Sequence, residues 1–364
     1  MNINLLTTIF IVGGLTLLSF LKLSNVDAAN RKANISFGIF LLLWSSFWLD
    51  ELLFASHLEK GDFIFYIIRF VQLFTPIPFY FSIVFYTSPN YKITFRDLRF
   101  LVVPLLFLIL ILFRSLLDKT LINLWISCVS PLHALYYLQL SFRRILKHQK
   151  DIEIFSSNKE LISLNWIKYI IYCLVLSALA TILYTILVPN GPLNTYINLF
   201  FLGTVYFVAY HSIKQKELFP VGYVPEKETE IFTAQYEGNT PKNKLFDEDE
   251  LALYKNKLLQ LMSEEKPYLD TELNLIKLSE MLGLSGHQLS YIINNGFDEN
   301  FFYFVNKFRV QKAKELLEKQ DNDKFTILAV GYDAGFNSKT SFNTTFKKMT
   351  GDTPSDYRKK HSRQ

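Results

Sequence analysis

Lys339, Thr340, Asn343, Thr344 and Lys347 recur three and four residues apart close to the C-terminus, so in a helix they line one face. An Asn can bond bidentately to adenine, a Lys can donate to guanine O6 and N7, and a Thr methyl packs on the thymine methyl. That face therefore has the chemistry to read base edges in a major groove, with Lys339, Thr340, Asn343 and Thr344 as base-contact candidates. Ser338, Lys347, Lys348, Arg358 and Lys359 are the phosphate-contact candidates; Lys360 and Arg363 add to them, and only Asp352 and Asp356 oppose them from 339 onward. A basic set of this kind suits phosphate contacts, which hold register without reading sequence. A second set lies upstream: with Leu289, Ile292 and Ile293 turned inward, His287, Tyr291 and Asn294 point out and Ser290 lies on the flank. No second His, Cys or carboxylate sits at ligand spacing from His287, so a groove-facing role fits it better than metal binding.

The elements that must position these residues are short amphipathic helices. Leu275, Ile276, Leu278, Met281 and Leu282 give one apolar face, Gly283 permits a sharp turn, and Ser285 with Gln288 forms a capping box that starts the next helix. The plan repeats with a helix around 327–334, a Gly335-Phe336 turn, and a helix opened by Asn337 or Ser338 whose buried face is Phe342, Phe346 and Met349. Between them, 301–319 buries Phe301, Phe304, Val305 and Phe308 at one end and Val310, Ala313 and Leu317 on roughly the opposite side at the other. Such a helix is a bridge of about 28 Å, comparable with the ~34 Å turn of B-DNA, so the two outward faces are expected to address successive major grooves.

Residues 250–363 resemble the double helix-turn-helix DNA-binding domain of the AraC/XylS family of bacterial transcription regulators. The matching residues are Ala313, Leu316 and Leu317 in the bridge, then Gly335, Phe336, Ser338, Phe342, Phe346, Lys347, Lys348, Gly351, Pro354, Tyr357 and Arg358. The resemblance implies a seven-helix domain that activates or represses nearby promoters. It also implies base contacts from His287, Ser290 and Tyr291 in the first unit and from Lys339, Thr340, Asn343 and Thr344 in the second. Two departures stand out. Gly331 replaces the usual Ala, which should weaken its helix by about 1 kcal/mol, and Ile293-Asn294-Asn295 replaces an aromatic-plus-basic helix end, predicting a looser grip by the first unit.

The first two-thirds of the chain has a different composition. Seven segments approach the ~20 apolar residues that cross a bilayer, near 4–22, 33–55, 62–87, 97–113, 119–142, 165–188 and 193–213. The fourth has the shortest uncharged run, and Pro189-Asn190-Gly191-Pro192 separates the last two. Alternate loops carry twelve basic residues (Lys22, Arg31, Lys32, Lys92, Arg96, Arg99, Arg143, Arg144, Lys147, Lys150, Lys159, Lys168) against three (Lys60, Arg114, Lys119), which places the richer side in the cytoplasm. Seven crossings then put the N-terminus outside and the C-terminal domain inside. Val26-Asp27-Ala28 resembles a signal-peptide cleavage pattern, yet the first residues lack positive charge and removal would strand the C-terminal domain outside, so the segment is read as a span.

The expected fold is all-α: a seven-helix transmembrane bundle over 1–213, a juxtamembrane linker over 214–249, and a double helix-turn-helix domain over 250–364. Asp50, Glu51, Arg69 and His133 are polar at or near membrane depth and are the candidates for sensing a signal. Trp44 and Trp48 read better as interfacial or packing aromatics than as a binding cage. Cys128 and Cys173 have neither zinc-site spacing nor the setting of a disulfide framework, and no phosphate loop, HExxH helix or GxSxG elbow is present. A net charge of +5 does not by itself decide for nucleic acid. The expected protein is a non-enzymatic, cofactor-free regulator of a bacterial inner membrane, with promoter duplex DNA, the lipid bilayer, a signal ligand and a second copy in a homodimer as partners. The competing reading is a polytopic receptor or transporter whose C-terminal domain binds a protein.

Overall fold

The computed structural model describes residues 3–24, 30–55, 62–158, 163–187, 195–214, 245–318 and 326–361. They divide into two units, Met1–Leu146 with Leu164–Pro220 and Lys147–Ser163 with Val221–Gln364. Both are helical, and the isolated antiparallel bridge between Ser156 and Asn274 is the one β-type pairing among the described residues. The Pro189–Pro192 break and most of the expected linker lie outside the described residues.

In the first unit, α1 (Ile3–Leu23) packs on α2 (Arg31–Ser45). Asn30 starts α2 by accepting the Ala33 N–H at 3.1 Å. A 3-10 turn, Ser46–Trp48, leads into α3 (Leu49–Ala55), and α4 (Asp62–Leu73) is followed by α5 (Pro76–Thr87), with proline in its first turn where no N–H is needed. Next come α6 (Val102–Leu112), α7 (Lys119–Leu124), a π-turn at Trp125–Val129, and α8 (Ser130–Phe155). The last two are α9 (Asn165–Leu187) and α10 (Thr195–Lys214); α10 packs on α9 and on α1, and α5 packs on α2.

Among the described residues, six helical segments are long and apolar enough to cross a membrane: Ile3–Leu23, Arg31–Leu53, Ile64–Thr87, Thr120–Phe155, Asn165–Tyr184 and Thr195–Ile213. The expected span at 97–113 is shorter than its neighbours. Its first part is the 3-10 helix Phe95–Leu101, held by a capping box in which Asp97 accepts from the Thr94 N–H at 2.8 Å and from the Tyr91 hydroxyl at 2.9 Å. The α-helical part covers only about 16 Å, roughly half a bilayer core. Outward faces carry large apolar side chains in water-accessible positions, with Leu179 60% and Ile186 68% exposed, whereas Phe37, Phe79 and Ile83 are enclosed. Such a surface suits lipid and is unfavourable in water.

In the second unit, Asp247 and Glu250 form a capping box for α11 (Glu248–Glu264). After the 3-10 turn Pro267–Leu269 come α12 (Leu275–Met281), α13 (Gly286–Phe297), α14 (Phe301–Glu318), α15 (Ile327–Asp333), α16 (Lys339–Thr350) and α17 (Pro354–His361). α12 and α13 form the first helix-turn-helix and α15 and α16 the second, with α14 packed against members of both. The second core gathers Val310, Ala313, Leu317, Val330, Ala334, Phe336, Phe342 and Phe346. Each phenylalanine enclosed there contributes about 1.5–3 kcal/mol. Residues 147–158, the end of α8 together with Ser156, Ser157 and Asn158, belong to this unit as well.

Candidate nucleic-acid interface

Both recognition helices start where local chemistry dictates. Ser285 Oγ accepts the Gln288 N–H at 3.2 Å while Gln288 Oε1 accepts the Ser285 N–H at 2.9 Å, the reciprocal box expected from sequence. Of the two expected caps of the second helix, Ser338 performs the task, its Oγ accepting the Ser341 N–H at 3.1 Å. Gly283 and Gly335 make the two turns in left-handed conformations, φ +66° and +90°.

On α16 the polar and basic side chains lie on the outer face. Lys339, Thr340, Thr344, Lys347 and Lys348 are exposed and Asn343 is half-exposed, while Phe342 and Phe346 are enclosed. Lys348 lies over the Tyr303 ring, 4.9 Å from its centroid. Hydrogen bonding to Tyr303 raises its pKa despite partial burial, and Glu153 adds to the effect. Lys359 is exposed and Arg358 half-exposed on α17. Lys360 is engaged with Asp352 at 2.7 Å, which reduces its availability for phosphate.

α13 is different. Ser290 is only 3% exposed and its Oγ accepts from Asn294 Nδ2 at 3.3 Å, so it faces the interior; the expected base contact from this residue is not presented to a groove. Its position on the flank, between the inward row and the outward one, is what allowed either outcome. Tyr291 is half-buried with its ring 5.9 Å from that of Phe246, and His287 is half-exposed. The first unit therefore offers fewer free polar groups than the second.

Gly331, which in sequence looked like a weakened helix, has a packing reason. A Cβ there would meet Phe342 Cδ1 at 2.7 Å and Cγ at 3.0 Å, so its absence is what lets the recognition helix lie close to α15. Gly335 is tighter still: a Cβ would stand 2.4 Å from the Tyr268 carbonyl oxygen and 2.9 Å from Leu269 Cα. The turn of the second helix-turn-helix thus rests on the loop ahead of the first.

Arg309 fastens that joint. It is 1% exposed; Nε donates to the Tyr268 carbonyl at 2.7 Å, one terminal nitrogen donates to the Asp270 carbonyl at 2.8 Å, and the other reaches the Ser157 carbonyl at 3.3 Å and Asn306 Oδ1 at 3.5 Å. Its guanidinium also faces the Phe336 ring at 5.9 Å. Burial lowers its pKa to about 10, and it stays charged at neutral pH. Burial opposes ionisation of Asp270, yet the Glu272 N–H, Lys277 and Arg309 outweigh it and hold the carboxyl below the usual range. The sequence reading missed Arg309 and Asn306; a lone arginine between Phe308 and Val310 was the available signal.

The four sensing candidates of the first unit fall into separate places. Arg69 pairs with Asp50 at 2.7 Å and donates to Gln72 Oε1 at 2.7 Å, and Gln72 donates to the Ser46 carbonyl at 3.2 Å. Glu51 instead accepts from Thr8 at 2.7 Å, from Asn4, and from Asn198 at 3.3 Å. Trp48 Nε1 joins that network by donating to Asn198 Oδ1 at 3.0 Å, and Trp44 packs on Phe40 at 5.4 Å, so both tryptophans serve packing. His133, 7% exposed, meets the Leu73 carbonyl at 3.2 Å, apart from both networks. No group of three or more metal-ligating side chains occurs among the described residues.

Two helix-turn-helix units, capped at serine and joined through one helix, define the second unit as a DNA-binding type of domain. Residues 278–360 match the family described as a helix-turn-helix domain, in the place where the sequence resembles the AraC/XylS proteins. Uncharacterized HTH-type transcriptional regulators of Staphylococcus aureus strains COL and MSSA476 are each 37% identical to this chain over 87 residues. The match covers 24% of this chain and 11% of each relative, so the chain spans about a tenth of the length of the curated relatives it matches. These similarities are to DNA-binding regulators and not to an enzyme family. No solved structure matches the chain.

Proposed function

We propose that this chain is a membrane-anchored, one-component transcription regulator. Its C-terminal unit binds promoter DNA through two helix-turn-helix motifs, and its N-terminal helices hold it in a bacterial inner membrane and respond to a signal. The observation that carries the reading is the exposed, polar and basic face of α16 set on a closed aromatic core. In that reading Lys339, Thr340, Asn343 and Thr344 contact bases, helped by His287 and Tyr291, and Ser338, Lys347, Lys348, Arg358 and Lys359 contact phosphates.

The membrane part of the proposal rests on the six apolar helices and their exposed aliphatic faces. In this reading the compartment of the DNA-binding unit is taken from the basic residues of the loop before α9. Two apolar helices, α9 and α10, separate the loop around Arg143–Lys168 from residues 245 onward, so the two lie on one side of the bilayer. Arg143, Arg144, Lys147, Lys150, Lys159 and Lys168 mark that side as cytoplasmic.

The test is selection of duplexes from fragmented genomic DNA by the full chain in lipid nanodiscs. Recovery of a shared sequence, lost in Asn343→Ala, is the expected result. Retention of protein partners without sequence-selective retention of DNA would favour a receptor or transporter.

A further inference from the structure

The loop side of α8 has no role in the proposed function, yet its residues are among the most enclosed of the second unit. Ile152, Phe155 and Ser157 are buried there. Ser157 Oγ donates to the Leu273 carbonyl at 2.6 Å, and Ser156 forms the antiparallel bridge with Asn274. The Ser157 carbonyl accepts from Asn306 Nδ2 at 3.1 Å and from Arg309 at 3.3 Å. Glu153 Oε2 accepts from Asn300 Nδ2 at 3.3 Å.

The elements so touched are the ones that set the two DNA-reading motifs. Asn274 caps α12 through the Lys277 N–H at 2.9 Å, and Asn300 accepts the Tyr303 N–H at 2.9 Å at the start of α14. Arg309 is the clamp between the 268–270 loop and the Gly335 turn. A carbonyl from a segment far upstream in the chain therefore completes the hydrogen bonding of a buried cation at the centre of the domain, and an acidic side chain from the same segment, Glu153, accepts from Asn300, which in turn caps the turn holding Tyr303, the ring beneath the phosphate-contact candidate Lys348. α8 is continuous from Ser130, within an apolar segment of spanning length, to Phe155 at this contact.

We infer that residues 147–158 form a restraining strap that docks on the DNA-binding unit at Asn274, Asn300, Asn306 and Arg309, and that the docked strap lowers the unit's affinity for DNA. The inference rests on the DNA-binding function proposed for this unit and adds its regulation. In the docked state Glu153 competes with backbone phosphates for Lys348, and the Ser157 carbonyl holds the joint between the two motifs in one setting. Undocking frees Lys348 and lets the joint adjust to the duplex. A signal that moves α8 has a direct route to both, and needs different affinities for the docked and undocked states.

The test is a reversible lock in the full chain, reconstituted in nanodiscs of neutral lipid. Ser156→Cys and Asn274→Cys are introduced together after Cys128→Ala and Cys173→Ala, since residues opposite one another in an antiparallel pair are close enough for a disulfide. The oxidised and reduced forms of this one protein are titrated with a mixed-sequence duplex at low salt. The expected result is ready disulfide formation and at least fivefold weaker DNA binding when oxidised. Failure of the disulfide to form would overturn the docking, and equal binding by the two forms would overturn the restraint while leaving DNA binding intact. Absence of binding in both forms would remove the DNA-binding reading and the strap's role with it. Glu153→Gln should tighten binding about threefold in the Cys-free parent, and not at all when combined with Lys348→Ala. The same gain in both backgrounds would count against the competition at Lys348.

Discussion

The two helix-turn-helix motifs share one plan and present different surfaces. α13 has a buried Ser290, a Tyr291 leaning on Phe246 and no lysine or arginine along its length, whereas α16 displays Lys339, Thr340, Thr344, Lys347 and Lys348. In the function proposed above, the difference is one of division of labour. A motif with satisfied side chains and a closed surface suits docking and orientation, while a motif with free donors suits gripping and reading.

Removing the clamp between the motifs should erase the distinction altogether. Arg309→Ala removes one donor from the carbonyls at 157, 268 and 270 and empties the space of a fully buried side chain, and is expected to cost about 3–5 kcal/mol. Thermal unfolding of the full chain in detergent measures it. Gly335→Ala acts at the same joint by sterics, since a side chain at φ +90° would press on the Tyr268 carbonyl. Its expected cost, about 2–3 kcal/mol from the left-handed backbone and the contact, would be refuted by an unchanged melting temperature.

Substitutions on the surfaces should then separate the motifs. Asn343→Ala is expected to cost about 1–3 kcal/mol at a single base position, visible as relaxed preference in a panel of mutated duplexes; an equal loss on every duplex would mean that Asn343 does not read sequence. Lys348→Ala should weaken all duplexes alike and reduce the slope of log K against log salt by about 0.9. His287→Ala on α13 should move affinity less than either, and a larger effect there would reverse that division of labour. The smallest effect is a pH one. The Asp270 carboxyl is held below the usual range, so its contribution is present above the unfolded carboxyl pKa of ~3.9 and is lost as pH falls through the lower folded value. The pair with Lys277 is about half exposed and worth at most about 1 kcal/mol, and Asp270→Asn should flatten the acid limb of a stability profile by no more than that.

The legibility of this chain follows the range of its interactions. The Ser285–Gln288 box, the Ser338 cap, the Gly335-Phe336 turn and the two-faced bridge were all readable because each is decided within a few residues. Ser290 was misplaced because a flank position is settled by packing and not by periodicity. The weakness read into Gly331 was right about helix propensity and blind to the Phe342 ring that needs the space. At 97–113 the apolar count hid the cost of Arg96, Asp97 and Arg99 at the start, where the chain winds into a 3-10 helix. Pairings across long separations, Ser157 with Leu273 and Arg309 or Glu51 with Asn198, leave no local trace in sequence. That Asp50 and Arg69 meet each other and not Glu51 required the fold.

Arg309 takes three of its four acceptors from main-chain carbonyls, at positions 157, 268 and 270. The hydrogen bonds of this knot are thus set by the backbone at those positions, and by the number of residues in each loop, more than by side chains. Homologous chains should conserve loop lengths here more strictly than loop letters, and a one-residue deletion before Tyr268 should be worse tolerated than any point substitution of Asp270.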